Sequence, residues 1–318
     1  MIRNWPTTRP LGKTGFEVTP ICVGTSPLAN LPNLYGYDVG EEASVATLRA
    51  VFAGPFNFID TSNGYGNGAA ERFLGKIIRE VGGLPEGFVL ETKVDADPVT
   101  KDFSSDRVRR STEESLERLG LDRIQMMHLH DPEYHMTFAE AMRKGGPVEA
   151  LIALRDEGVV GDIGIAAGPI PMLLDFIRTG LFSAVLSHNR FTLLDRSAEP
   201  LIVEAEARGM AFLNAAPYGG GMLSKGPDKQ PKYAYRPASA VVAQAARAMQ
   251  RACAAHDVPL MAAALQFSLR DPRIATTVVG FSDPSRVDAT LRLAEHLIPQ
   301  SLWDELEALA VPESAWLN

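Results

Sequence analysis

The strongest constraint on this chain is an alternation of short apolar runs with stretches whose apolar residues recur at helical spacing. The runs cover residues 19–24 (TPICVG), 57–60, 88–92, 124–129, 162–166, 184–187, 211–214 and 275–279. Between and after them lie predicted helices over 41–53, 69–79, 104–119, 148–157, 171–179, 199–208, 239–256, 259–269, 284–293 and 299–309. In the first helix Val45, Leu48 and Phe52 share a face, behind Glu41 and Glu42, whose charge suits the positive end of a helix dipole. Ser104 or Ser105 is the expected cap of 104–119, and Gly120 its end. Short strands separated by helices pair in parallel, because a helical crossover returns the chain to the same edge of the sheet. Eight such units close most economically into a (β/α)8 TIM barrel. Residues 9–18 (RPLGKTGFEV) read as an N-terminal β-hairpin ahead of it. No composition break marks a linker, so 1–318 is expected to be a single barrel domain. The longest irregular piece, 215–237, follows the seventh strand and belongs to the face where catalytic loops gather.

Composition removes several function classes. Apolar residues make up 46 % of the chain, enough for a large core. Lys and Arg number 31 against 39 Asp and Glu, and a net charge of −8 without a basic run argues against nucleic acid as a partner. The start, MIRNWPTTRP, lacks the apolar stretch of a signal peptide. No run reaches the roughly 18 to 20 apolar residues that span a bilayer. Cys22 and Cys253 have no metal-type spacing, which fits a reducing compartment and no metal site. The expectation is a cytoplasmic protein acting on a small molecule, monomeric or homo-oligomeric.

Three successive strand ends carry chemistry. The second strand stops at Asp60, and Tyr65 follows in the loop TSNGYG; the third ends in Lys93, and the fourth in His130. Neighbouring parallel strands lie about 4.8 Å apart, so these side chains can converge. A phenol with a pKa near 10 is a poor acid or base at neutral pH. An adjacent ammonium would lower it, a carboxylate would hold that ammonium, and a neutral imidazole would direct a substrate oxygen. Such a set moves a proton while something else moves a hydride. Glu91 shares strand parity with Lys93 and rivals Asp60 as its partner; His128 shares parity with His130 but lies deeper, where it fills a core layer.

These segments resemble the aldo-keto reductases. The likeness is carried by RPLGKTGFEVTPICVGT, FIDTSNGYGNGAAERFLGK, ETKV, SLERLGLDRIQMMHLHDP, GVVGDIGI, APYGGGML and VVGFSDPSRVDATL, from about Arg9 to Leu309. The resemblance implies a barrel closed at the bottom by the hairpin, with NADP or NAD extended across its mouth without a Rossmann fold. It implies Tyr65 as general acid/base, Asp60 and Lys93 as the groups tuning it, and His130 as the group orienting the carbonyl. It places cofactor contacts at His188, Asn189, Tyr218, Gly280, Phe281, Ser282 and Arg286.

Departures from the family pattern point to one branch. Ala166 and Ala167 stand where Ser-Asn is frequent, His188 where Gln is frequent, and the usual stacking aromatic falls at Asn214 or Ala215. A lysine often used for a 2′-phosphate is missing near Gly280, leaving Arg286. The AAG after strand five and the FTLLD segment look like the branch of aldose 1-dehydrogenases and pyridoxal 4-dehydrogenase. That resemblance implies oxidation of an aldose at C1 to its lactone, with pyridoxal oxidation or general aldehyde and ketone reduction as alternatives. Two different classes stay open on this reading: a Schiff-base aldolase using Lys93, and a nucleotide-sensing subunit with little turnover. The loop around Tyr35 and Tyr37 is expected to wall the substrate, and Trp316 to be a packed terminus rather than a cover.

Overall fold

A computed structural model describes residues 7–317, and in it eight parallel strands close into one barrel. The strands are β1 (Ile21–Gly24), β2 (Phe58–Asp60), β3 (Val89–Val94), β4 (Ile124–His130), β5 (Val160–Ala167), β6 (Ala184–His188), β7 (Ala211–Ala215) and β8 (Ile274–Gly280). Each pairs with its neighbour in chain order, and β8 closes the ring by pairing both β7 and β1. The outer helices are α1 (Glu41–Phe52), α2 (Ala69–Glu80), α3 (Ser105–Leu119), α4 (Pro147–Asp156), α5 (Ile170–Arg178), α6 (Glu199–Arg208), α7 (Ala240–Ala255), α8 (Leu260–Leu269), α9 (Arg286–Glu295) and α10 (Gln300–Ala308). Most expected bounds hold within two residues, the normal scatter of helix and strand ends. Of the two candidate caps of α3, Ser104 is the one used: its hydroxyl accepts from the Arg107 N–H, and Gly120 ends the helix at φ +70°.

The hairpin, Arg9–Pro10 paired with Glu17–Val18, plugs the end of the barrel where the strands begin. Leu11 and Val18 are fully buried with Cys22, Phe58, Val89, Met126 and Leu213 in one apolar plug. Full burial of a side chain such as Phe58 contributes about 1.5–3 kcal/mol. Arg9 ties the hairpin down by donating to the carbonyls of Leu269 (2.6 Å) and Ile274 (2.6 Å). Gly12, at φ +58°, lies so close to β7 that a Cβ would meet the Ala211 nitrogen at 2.7 Å.

Above the apolar plug the interior turns polar. Glu91 and His128 are completely buried and joined, Glu91 Oε2 to His128 Nε2, at 2.9 Å. The His128 ring lies against Gly164 on β5, where an added Cβ would meet Nδ1 at 2.3 Å. Gly164→Ala is therefore expected to destabilise the fold by about 1–3 kcal/mol through overpacking. The check is the urea midpoint at unchanged slope; an unmoved midpoint would mean that the ring leaves its place without cost.

Two irregular regions contain structure that the periodicity did not reveal. Residues 215–237 hold a short helix, Met222–Lys225, and a small hairpin pairing Lys232–Tyr233 with Arg236–Pro237. That hairpin turns through Ala234 and Tyr235, both at positive φ, so it lacks the glycine or asparagine that normally announces such a turn. A short helix, Phe138–Met142, is started by a capping box between Thr137 and Glu140.

Candidate active site

At the carboxyl ends of β2, β3 and β4 the register aligns Asp60 with Glu91, Lys93 with His128, and His130 with Ala166. Side chains alternate along a strand, so Asp60, Lys93 and His130 point inward. Lys93 is 1 % exposed. Its ammonium contacts Asp60 Oδ1 and donates to the Thr61 carbonyl at 2.7 Å and to the Tyr65 hydroxyl at 3.2 Å. All three N–H positions are directed at oxygens, the geometry of a donor rather than of a nucleophilic amine. The rivalry between Asp60 and Glu91 resolves to Asp60, because Glu91 is taken by His128. The rings of Tyr65 and His130 meet edge to face with centroids 5.9 Å apart.

The loop that carries Tyr65 is held from two sides. Asn63 receives from Arg107 (3.1 Å) and donates to the Ser111 carbonyl (3.1 Å), both on α3. The Gly64 N–H donates to Asp95 Oδ2 at 2.6 Å, and the Ser62 hydroxyl contacts the same oxygen. The other oxygen, Asp95 Oδ1, accepts from His130 Nδ1 at 2.6 Å. Asp95, two residues beyond Lys93, was not singled out in the sequence. Its only signal there is parity with Lys93, since a carboxylate at a strand end reads as an ordinary loop residue.

The electrostatics differ from the simplest expectation. Burial pushes Asp60 up to about 6 against the pull of Lys93, and raises Glu91 to about 7. Burial and the Lys93 charge lower His128 to about 3, so the Glu91–His128 contact is a core hydrogen bond rather than an ion pair. The expectation that an ammonium lowers the phenol does not hold here. Burial, followed by the charges of Asp60, Asp131 and Asp95, pushes Tyr65 well above its usual value. Asp60 both neutralises Lys93 and adds its own negative charge. Burial would lower His130, but Asp131 and Asp95 outweigh it and raise the imidazole to about 9. Where the sequence suggested a neutral His130, these two carboxylates favour its charged form.

These residues line a cavity of about 770 Å³ that runs from β2 round to β8. His188, Tyr218, Ser282 and Arg286 line it, as does Gly280 at the end of β8. Two expected contacts are placed differently. Phe281 is fully buried against Phe56, ring centroids 5.6 Å apart, so only its backbone remains for a ligand. Asn189 is also fully buried and donates from Nδ2 to His188 Nδ1 at 3.1 Å, which fixes the imidazole that lines the cavity. At the stacking position Ala215 faces the cavity, while Asn214 points away and donates to the Phe191 carbonyl and Ser268. Lys225, unremarked in the sequence, joins Arg286 on the wall with its ammonium 5.1 Å from the Tyr37 ring centre. Two cations and the buried, unpaired Tyr218 hydroxyl form a donor set that fits an extended phosphate-bearing ligand, while the Ser282 hydroxyl donates to Asp283 Oδ2 at 3.2 Å. Asp283 stands among them and accepts from Ser285 N–H at 3.1 Å. Trp316 lies away from the cavity, packed on the core and donating to the Val311 carbonyl at 3.0 Å. Among the described residues no helix is long and apolar enough to cross a membrane, and no cluster of His, Cys, Asp and Glu could hold a metal ion.

The same fold occurs in known proteins. The sequence profile of the aldo/keto reductase family matches residues 20–311. L-galactose dehydrogenase of Arabidopsis thaliana is 31 % identical over 96 % of this chain and 94 % of its own length. Pyridoxal 4-dehydrogenase of Microbacterium luteolum is 28 % identical over 94 % and 96 %. D-threo-aldose 1-dehydrogenase of a Pseudomonas species is 30 % identical over 89 % and 93 %. The relatives come from the branch to which the AAG and FTLLD segments point. Among solved structures, a holo-form aldo-keto reductase from Bacillus halodurans superposes with a TM-score of 0.77 at 22 % identity, covering 98 % of both chains, which speaks for the fold alone. The chain belongs to the aldo/keto reductase family and is an NAD(P)-dependent oxidoreductase.

Proposed function

We propose that this enzyme oxidises a free aldose at C1 to its lactone, with NAD or NADP bound along the cavity. The observation that carries the reading is the convergence of Tyr65, Lys93, Asp60 and His130 in a cavity that Arg286 and Ser282 also line. The nicotinamide, when bound, accepts the hydride from C1. For oxidation Tyr65 must first lose its own proton, and as phenolate it takes the hydroxyl proton; Lys93 holds the phenol oxygen, and Asp60 holds Lys93. His130 faces the reacting oxygen. In the reverse direction Tyr65, kept protonated by burial, is the acid that completes carbonyl reduction. Arg286, Ser282 and Lys225 would hold the phosphates, with His188 and Tyr218 nearer the nicotinamide.

Support for a sugar comes from the relatives that act on L-galactose and D-threo-aldoses, and from a substrate wall rich in hydroxyls and carboxylate: Tyr35, Tyr37, Tyr235 and Asp131. A polyol offers donors and acceptors that such a wall can satisfy. The same tyrosines support a second reading, pyridoxal, since Tyr35 and Tyr235 stand edge to face at 6.2 Å and present rings to an aromatic substrate. The test is nicotinamide absorbance with purified protein, NAD and NADP separately, against a panel of aldoses and pyridoxal. Turnover with one aldose and one dinucleotide supports the proposal, and turnover with pyridoxal alone replaces it with the second reading. Tight dinucleotide binding without turnover on any substrate overturns both in favour of a nucleotide-sensing role.

A further inference from the structure

We infer that Asp95 is the positioning residue that makes His130 a cationic hydrogen-bond donor, by accepting from Nδ1–H and leaving Nε2–H for the substrate oxygen. A neutral imidazole has one N–H and one bare nitrogen. Asp95 Oδ1 lies 2.6 Å from Nδ1, a short distance typical of a charge-assisted bond, so that nitrogen keeps its proton. Nε2 of a neutral His130 would then present a lone pair to the cavity and could only accept. A donor to a carbonyl or developing oxyanion requires the second proton, hence the imidazolium. On the Nε2 side the nearest carboxylate oxygen, Asp131 Oδ2, is 3.7 Å away, beyond a hydrogen bond, so this edge is open to a substrate.

Asp95 is itself built for the role. It accepts from the Gly64 N–H at 2.6 Å and contacts the Ser62 hydroxyl, which aim the carboxylate at His130 and leave it no other orientation. Gly64 is required for this approach, because a Cβ there would meet the carboxyl carbon of Asp95 at 2.8 Å. Burial disfavours its charge, yet His130, Ser62 and Gly64 together hold Asp95 below the usual carboxylate range. One carboxylate thus locks the imidazole and the Tyr65 loop in register, which explains why the two rings meet edge to face.

The charged and titratable groups that face His130 are Asp95 just after β3, Asp131 and Glu133 from the turn after β4, Lys93, the rings of His128 and His188, and the Tyr65 phenol. The two nearest carboxylates outweigh Lys93, which places loss of the donor at about pH 9, below any ionisation of Tyr65. The sign follows directly. The cation persists below that pH and is lost above it, so carbonyl reduction, the direction in which Tyr65 is the acid, has an alkaline limb there.

The inference rests on the reading that His130 faces the reacting oxygen, and its test separates the two. The first measurement needs no substrate: NMR titration of the His130 ring in the wild-type protein, its signal assigned by its absence in His130→Gln. A midpoint near 9 is expected, and one at or below the ordinary histidine value overturns the inference. The second is Asp95→Asn, which keeps an oxygen for Nδ1 and removes the charge, while its NH2 replaces the oxygen that accepts from the Gly64 N–H. The titration is expected to fall by about 1–3 pH units, and the alkaline limb of kcat to move down with it. At neutral pH kcat is expected to drop at least about 10-fold while the KM for the dinucleotide stays level. A folded Asp95→Asn protein with wild-type titration and pH profile would refute the role. If Tyr65→Phe instead keeps full activity, it is the catalytic reading that fails, whatever Asp95 does to His130.

Discussion

Tyr65→Phe is expected to lower kcat by about 10²- to 10⁴-fold, the usual contribution of a positioned acid or base. Binding of the nicotinamide dinucleotide is expected to be unchanged. The substitution removes one hydroxyl and nothing else. The ring stays against His130, and Lys93 keeps Asp60 and the Thr61 carbonyl as partners when the 3.2 Å contact to the phenol oxygen is lost. No folding defect follows, because the hydroxyl gives the fold only that single contact. Rate and binding are separable here, since Ser282 and Arg286, which also line the cavity, are untouched. The measurement is steady-state kcat alongside a fluorescence titration with the dinucleotide. Equal loss in kcat and kcat/KM marks an interaction made only in the transition state. Full activity with normal dinucleotide binding would remove Tyr65 from the mechanism.

What the sequence could and could not disclose follows from which interactions are periodic. The barrel was legible because burial on both faces of a parallel strand leaves continuous apolar runs, and helix faces repeat every turn. Asp60, Lys93 and His130 were legible for a related reason: a polar residue ending an apolar run marks the point where a strand leaves the core. The inside of the barrel was less so. Glu91 and His128 carry charge-bearing side chains in mid-strand, and only the register that sets Lys93 beside His128 shows that Glu91 is engaged elsewhere than on Lys93. Asp95 was invisible because its meaning comes from His130 on the next strand and Gly64 on the loop before, none of which is adjacent in the chain. Phe281 and Asn189 are the opposite case, named by likeness rather than by periodicity. Their positions suit the cofactor by family likeness, but their side chains turn inward, which a motif cannot tell.

Lys93→Met tests the other half of the machinery and carries the largest expected structural effect. The wild-type pair is almost wholly enclosed, with side-chain exposures of 1 % and 5 %. Removing the ammonium leaves Asp60 as a buried carboxyl without its ion partner, a change that typically costs about 3–5 kcal/mol. Activity falls with it, because Tyr65 loses the donor at its oxygen. The stability loss has a pH signature that an ordinary packing defect lacks. Asp60 already titrates at about 6, raised from its unfolded value by burial, with Lys93 pulling the other way. Without Lys93 the folded-state value rises further. A carboxyl with a raised folded pKa contributes most below its unfolded pKa, and that contribution is lost as pH climbs through the folded value. The variant must therefore lose more stability than the wild type between about pH 6 and 8, while Asp60 resists ionising in the dry interior. Thermal melts of both proteins at mildly acid and mildly alkaline pH make the comparison. A Tm gap that widens with pH locates the cost in the Asp60 charge. A constant gap would assign it to lost packing around the lysine stem, and the double substitution Asp60→Asn with Lys93→Met, which removes the charge, would then recover nothing.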